Sequence, residues 1–228
     1  MNDKPNAQYN LAAPDSLAVR VGAKTRKKMF QIFMTHFRPS PDETILDIGA
    51  TSDQAYIVSN YFEDLYPYKN RVTASGVDDA SHLETLYPGM KFIFANALSL
   101  PLDDNSFDLV HSSAVLEHVG SNENQRKMIL ECLRVARRGI CLTTPNRWFP
   151  IEFHTQLPLV HWLPKPLCRS VFRKLGYGFF AQEENLNLIT RTEIEKIVAP
   201  IKGWHFHIHF ATVFGWRSNL IIFANRAV

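Results

Sequence analysis

Between residues 45 and 145, short apolar runs alternate with stretches of helical character, and this alternation leaves few folds open to the chain. The runs 45–48, 72–77, 91–97, 107–113 and 140–144 read as strands. Residues 53–66, 81–87 and 122–137 read as helices. In the last of these Glu123 occupies the first turn and Arg134, Arg137 and Arg138 the end, as the helix dipole favours, with Gly139 as the expected stop. Strands alternating with helices, apart from the turn-rich run 101–106 between the third and fourth strands, imply right-handed crossovers and an α/β fold, in which a parallel sheet is covered on both faces.

The flanks are different in texture. Residues 1–14 are polar and carry prolines, so a loose N-terminal arm is expected there. From residue 15, Val19, Ala23, Phe30, Phe33, Met34 and Phe37 fall mostly at helical spacing, opposite a basic face of Arg20, Lys24, Arg26, Lys27 and Lys28, until Pro39 and Pro41 stop the helix. Such a face is ordinarily solvated; the sharper reading is that one of these cations reaches the carboxylate of a ligand. Residues 146–189 are rich in proline and aromatic residues without clear periodicity, and read as a lid or insertion over the strand ends. A helix over 192–198 and strands over 204–210 and 218–225 follow. A length of 228 residues suits one domain spanning 1–228.

Charge and composition narrow the function classes. The net charge is +3 with acids and bases interspersed, which gives no footprint for nucleic acid. Three cysteines, Cys132, Cys141 and Cys168, form no metal-binding or redox pair. No basic start leads into an apolar core and no apolar run reaches about 18 residues, so a cytoplasmic protein is expected. His205, His207 and His209 alternate along a strand, but no cysteine or carboxylate cluster stands near them in sequence, and no metal is expected. The basic amphipathic stretch 162–176 raises peripheral membrane contact as a lesser alternative to an ordinary lid.

The chemistry concentrates at residues 44–53. Ile45, Leu46 and Ile48 are strand-forming, Gly49 permits a turn or close approach, and Thr51, Ser52 and Asp53 suit a helix start. A phosphate cradle needs several glycines and has little use for carboxylates. Here one glycine stands between Asp47 and Asp53, a pattern better suited to a cationic ligand. Asp78 and Asp79 close the second strand and Asn96 and Ala97 the third, at the edge where ligands of parallel sheets bind. A carboxylate there can accept from both vicinal hydroxyls of a ribose, and an asparagine can offer donor and acceptor to an adenine edge.

With Leu46-Asp47-Ile48-Gly49, Val77-Asp78, Asn96-Ala97-Leu98-Ser99-Leu100-Pro101-Leu102, Phe107-Asp108-Leu109-Val110 and Leu116-Glu117-His118 in place, residues 45–145 resemble the class I S-adenosylmethionine-dependent methyltransferases of the broad small-molecule group. The resemblance implies a Rossmann-like, doubly wound, seven-stranded and mostly parallel sheet in the order 3-2-1-4-5-7-6, with the last strand antiparallel. It implies S-adenosylmethionine as cofactor and S-adenosylhomocysteine as product, with Asp47 and Gly49 at the methionine end, Thr51 where a second glycine is usual, Asp78 beside Asp79 at the ribose, Asn96, Ala97 and Leu98 at the adenine, and Ser112 with Ser113 near the sulfonium. Candidates for acceptor contact and catalysis are His118 and Glu117. Arg147, Trp148, Glu152, His154 and His161 are candidates for binding a small-molecule acceptor. Thr51 and Asn96 depart from the family pattern and motivate a second reading, a binding or regulatory module that has lost catalysis. A third, a nicotinamide-dependent oxidoreductase, lacks its glycine-rich cradle.

Overall fold

The computed structural model describes residue 13 and residues 16–56 and 59–227, so the expected arm lies outside the described residues apart from Ala13. Helix α1 (Leu17–Phe37) starts at Ser16, whose hydroxyl accepts from the Val19 N–H, and ends where Arg38 turns into the left-handed region. The chain then runs through β1 (Ile45–Ile48), α2 (Tyr61–Leu65), β2 (Val72–Gly76), α3 (His82–Leu86), β3 (Lys91–Phe94), β4 (Phe107–Ser113), α4 (Asn122–Val135) and β5 (Ala136–Pro145), with β3 and β4 joined by a loop. Beyond lie α5 (Lys165–Lys174), α6 (Arg191–Val198), β6 (Trp204–Val213) and β7 (Trp216–Arg226). The strands form one seven-stranded sheet in the order β3-β2-β1-β4-β5-β7-β6. Pairs among the first five strands are parallel, and β7 runs antiparallel to both β5 and β6. The architecture is therefore the Rossmann-like α/β sheet that the motif resemblance implies.

Because side chains alternate across each strand, the sheet has two cores. Leu46, Ile48, Val110, Ile140 and Leu142 pack on α4 and α6 through Met128, Ile129, Cys132 and Ile194. On the other face Ile45, Leu109, Cys141 and Val72 meet Met29, Phe33 and Phe37 of α1 and Phe62 of α2. A third, small cluster around Cys168, Phe172, Phe180 and Leu186 belongs to the segment between β5 and α6. All three cysteines are buried and free.

Several boundaries depart from the sequence reading, three of them informatively. The helix expected over 53–66 begins only at Tyr61. In the loop before it, the Thr51 hydroxyl accepts from the Asp53 N–H, Asp53 accepts from the Ala55 N–H, and the Asn60 amide grips both the N–H and the carbonyl of Thr51. These side chains give the backbone partners that compete with helical ones. Gly139 does not stop a helix: α4 ends at Val135, and Arg137, Arg138 and Gly139 already lie in β5. A Cβ at Gly139 would stand 2.4 Å from the Phe37 ring, so this glycine lets α1 lie close on the sheet. The strand expected to run to residue 97 stops at Phe94, after which Asn96 closes a turn by accepting from the Leu98 N–H through its side chain and from the Ser99 N–H through its carbonyl. Among the described residues no helix is long and apolar enough to cross a membrane.

Candidate functional site

A cavity of about 470 Å³ opens at the carboxyl ends of β1, β2 and β4. Its floor is the turn after β1. Gly49 holds φ at +109°, and a Cβ there would lie 2.3 Å from Val115 Cγ2, so both backbone conformation and space demand glycine. Ala50 and Thr51 continue the floor, with Gly76 and Val77 on one side and Ala95, Asn96, Ala97 and Leu98 beyond them. Ser113, Ala114, Val115 and His118 form the opposite wall, and Glu184 reaches in from the segment between β5 and α6.

The most polar wall is one that adjacency in sequence does not disclose. Asp47 and His111 are partners in the β1–β4 register, and parallel partners project to the same face. The His111 Nδ1 accordingly meets Asp47 Oδ1 in a short contact, while Phe62 stacks on the imidazole at 4.1 Å. Helix α2 adds Tyr61 and Glu63, both lining the cavity. Glu63 is wholly buried, and neither carboxyl oxygen has a partner of hydrogen-bond geometry among the described residues, although the group lies close enough to Asp47 for each to act on the other's proton. Burial pushes the Asp47 carboxyl up to about 7 and Glu63 well above the ordinary carboxylate range, the second helped by the neighbouring Asp47 charge. Burial also pushes His111 down to about 3, so the imidazole is neutral. Two carboxyls in a dry wall beside an open cavity favour a cationic occupant.

Arg26 of α1 also lines the cavity, the one cation of the helix's basic face to do so. Burial lowers its pKa, and among the described residues no carboxylate forms an ion pair with it. A guanidinium in that state is a receptor for an anion.

Of the cofactor positions expected from sequence, Asp47, Gly49, Thr51, Asn96, Ala97 and Leu98 come together around this cavity. Three do not line it. Asp78 is buried just beyond β2, where Gly76 and Val77 face the space instead; Asp79 is exposed and accepts from the Ser81 N–H; Ser112 is buried and donates to the Ile48 carbonyl. His118 lines the cavity, and Glu117 lies buried directly behind it. None of the five acceptor candidates lines it. Arg147 donates to the carbonyls of His161 and Leu163, tying down the segment after β5, and Trp148 is exposed beside it. The His161 Nε2 bonds the Phe149 carbonyl. Glu152 is buried and bonds His154, and His154 alone reaches the cavity wall, 3.2 Å from His118 between their Nε2 atoms. Sequence reasoning passed over Glu63, Tyr61, His111 and Glu184, whose only signal was their polarity within otherwise apolar or loop segments.

Comparison with known proteins bears on the fold and the family that this chain resembles. Residues 47–142 match the family described as methyltransferase domain. A Mycobacterium tuberculosis protein named "probable S-adenosylmethionine-dependent methyltransferase" is 36% identical over 69 residues, 29% of this chain and 24% of its own length. A Mycolicibacterium smegmatis protein of the same description is 36% identical over 81 residues, 34% of this chain and 30% of its own. The chain thus spans less than a third of the curated relatives it matches. Among solved structures, geranyl diphosphate C-methyltransferase from Streptomyces coelicolor superposes with a TM-score of 0.59 at 13% identity, over 96% of this chain and 89% of that one. Magnesium protoporphyrin IX methyltransferase from Synechocystis, with bound S-adenosylhomocysteine, gives 0.57 at 16% identity over 96% and 91%. Family match, strand order and motif positions fall together on residues 47–142, and that stretch is similar to the methyltransferase domain of S-adenosylmethionine-dependent enzymes.

Proposed function

We propose that this protein binds S-adenosylmethionine in the cavity and transfers its methyl group to a small-molecule acceptor. The observation that carries the reading is the pairing, in one cavity, of an acid pair with an unpaired guanidinium at one end and the Asn96 turn at the other. The α-carboxylate of a methionyl group pairs with Arg26, its ammonium and the nearby sulfonium suit Asp47 and Glu63, and the adenine fits along Asn96, Ala97 and Leu98. Asp78 takes the ribose after a small adjustment of the turn that follows β2, with Asp79 beside it; Thr51 supports the floor, and Ser112 holds it by its bond to Ile48. Since a sulfonium becomes a neutral thioether on transfer, a dry site that aligns nucleophile, methyl and sulfur supplies much of the catalysis.

The wall by His118, with Glu117 and His154 behind it, is the acceptor side, and Arg147, Trp148, Glu152 and His161 shape the segment above it. The structural neighbours named for geranyl diphosphate and magnesium protoporphyrin support an acceptor of small-molecule size. Peripheral membrane contact through 162–176 is the weaker reading, because Lys165 and Arg169 turn toward Glu193 and Glu183. Three free cysteines, all buried, suit a reducing, cytoplasmic setting.

A binding module without turnover is the second reading. It is favoured by one observation: the side chains of Thr51 and Asn96 are already engaged within their own turns. A same-fold neighbour named as a [4+2]-cyclase, with a TM-score of 0.58, underlines that this fold leaves the reaction open.

Calorimetric titration with S-adenosylhomocysteine, 5′-methylthioadenosine and NADH tests the cofactor assignment. Micromolar binding of the first is expected, with none for NADH. Arg26→Ala is expected to weaken S-adenosylhomocysteine about 10- to 100-fold, the worth of a hydrogen bond to a charged group, and to leave 5′-methylthioadenosine, which has no carboxylate, almost unchanged. An equal loss for both ligands would remove Arg26 from the carboxylate site.

A further inference from the structure

Beside the cavity, the turn Leu116–His118 meets the segment after β5 in an arrangement that methyl transfer does not require. Glu117 is wholly buried; its Oε2 accepts from the Thr144 hydroxyl at 2.8 Å, and its Oε1 has no hydrogen-bond partner among the described residues. The Nδ1 of His118 lies 2.6 Å from the Asn185 carbonyl oxygen. The Nδ1 of His154 lies 2.7 Å from Oε1 of Glu152, whose carboxylate also accepts from the N–H groups of His154 and Thr155.

These partners settle the tautomers. A carbonyl only accepts, and so does an ionised carboxylate, so each ring carries its proton on Nδ1. Both Nε2 atoms are then lone-pair atoms, and they face each other at 3.2 Å. Two lone pairs at that distance repel unless a cation stands between them. That cation is either a proton or a metal ion, and Glu117 is placed to complete a metal site: its Oε1 lies 3.9 Å from His118 Nε2, and the three donor atoms all fall within 4.8 Å of one another. Donors bound to one ion at about 2.1 Å are roughly 3.0 to 3.4 Å apart at ordinary coordination angles. The two nitrogens already have that spacing, and the Glu117 carboxylate joins them by closing about 0.5 Å toward His118 and at most about 1.4 Å toward His154.

We propose that Glu117, His118 and His154 bind one divalent transition-metal ion. Two imidazoles and one carboxylate suit zinc or ferrous iron and do not suit magnesium or calcium, which prefer oxygen throughout. Asn185 and Glu152 serve as the outer acceptors that orient ligating imidazoles. His118 also lines the cavity, so the ion's open position faces the space where an acceptor would lie, ready for an oxygen of that acceptor. Only this last statement rests on the methyltransferase reading. Sequence alone gives no sign of the site, since His154 stands 36 residues from His118, and the conspicuous trio His205, His207 and His209 forms no such group among the described residues.

The test uses the full chain, stripped with a chelator and titrated with Co²⁺ and then Zn²⁺, with binding read from cobalt d–d absorption. One Co²⁺ per chain, displaced by Zn²⁺, is expected. His154→Ala and Glu117→Gln are expected to weaken it at least tenfold, Glu152→Gln about tenfold, and His207→Ala not at all. Circular dichroism checks that each variant is folded. A folded wild-type chain that binds no stoichiometric Co²⁺, or whose binding survives His154→Ala, overturns the proposal, as does loss of binding in His207→Ala. Nitrogen-15 shifts of a protonated His118–His154 pair that persist in excess Zn²⁺ would assign the cation to a proton. The readout needs no adenosyl ligand, so its failure is separable from failure of the cofactor reading.

Discussion

At the scale of residues, the cavity depends on groups held away from their ordinary protonation states. Asp47 faces Glu63 and Tyr61 from α2, His111 from β4 and Cys141 from β5, with Arg26 of α1 lining the same cavity, and its carboxyl is pushed from 3.8 up to about 7. A carboxyl raised on folding binds its proton in the folded chain and releases it in the unfolded one over that interval. Its contribution to stability therefore falls as pH rises from about 4 to about 7. A cationic ligand reverses the trend by favouring the ionised pair, so S-adenosylmethionine is expected to bind more tightly as pH rises through 7, with proton release. Melting temperatures from pH 5 to 8, with and without the ligand, check both signs. Asp47→Asn is expected to flatten the two profiles, and an unchanged slope would show that the acid pair does not sense the ligand. Asp47 and Gly49 were legible in sequence because their meaning is local: an acidic strand end and a glycine turn. Glu63 and His111 were not, because only the strand register and the placing of α2 bring them to Asp47. Arg26 was visible merely as one of five cations, and the rotation of α1 on the sheet selects it.

At the scale of elements, strand order and β4 could be read almost to the residue, since continuous apolar runs mark buried parallel strands. Errors fell where side chains overrode propensity. Thr51 and Asp53 look like helix starters but, together with Asn60, tie up the loop's backbone groups, and Gly139 looks like a helix stop but serves packing. The second point has a measurable consequence. Gly139→Ala is expected to cost about 1–3 kcal/mol through overpacking against Phe37. Gly22→Ala, in α1 with room for its Cβ, is expected to stabilise by about 0.5–1 kcal/mol. Urea unfolding midpoints compare the two, and equal effects would contradict the packing role given to Gly139.

At the scale of the whole molecule, the sheet gathers loops from distant parts of the chain at one edge, and the segment between β5 and α6 adds Glu184 to the cavity lining. That segment has its own small core and is tied in by Asn187, which donates to the Glu117 carbonyl, and by the Asn146–Ile189 bridge. Its lack of periodicity hid this from sequence, because its contacts are made one residue at a time. The central claim is methyl transfer to a small molecule, and the most direct measurement is turnover. Methyl-labelled S-adenosylmethionine would be incubated with the protein and a fractionated small-molecule extract, following both S-adenosylhomocysteine release and the label. The account predicts stoichiometric S-adenosylhomocysteine with the label in a small-molecule fraction. No release above control, from a sample that binds S-adenosylhomocysteine, would contradict it and leave a binding module in its place.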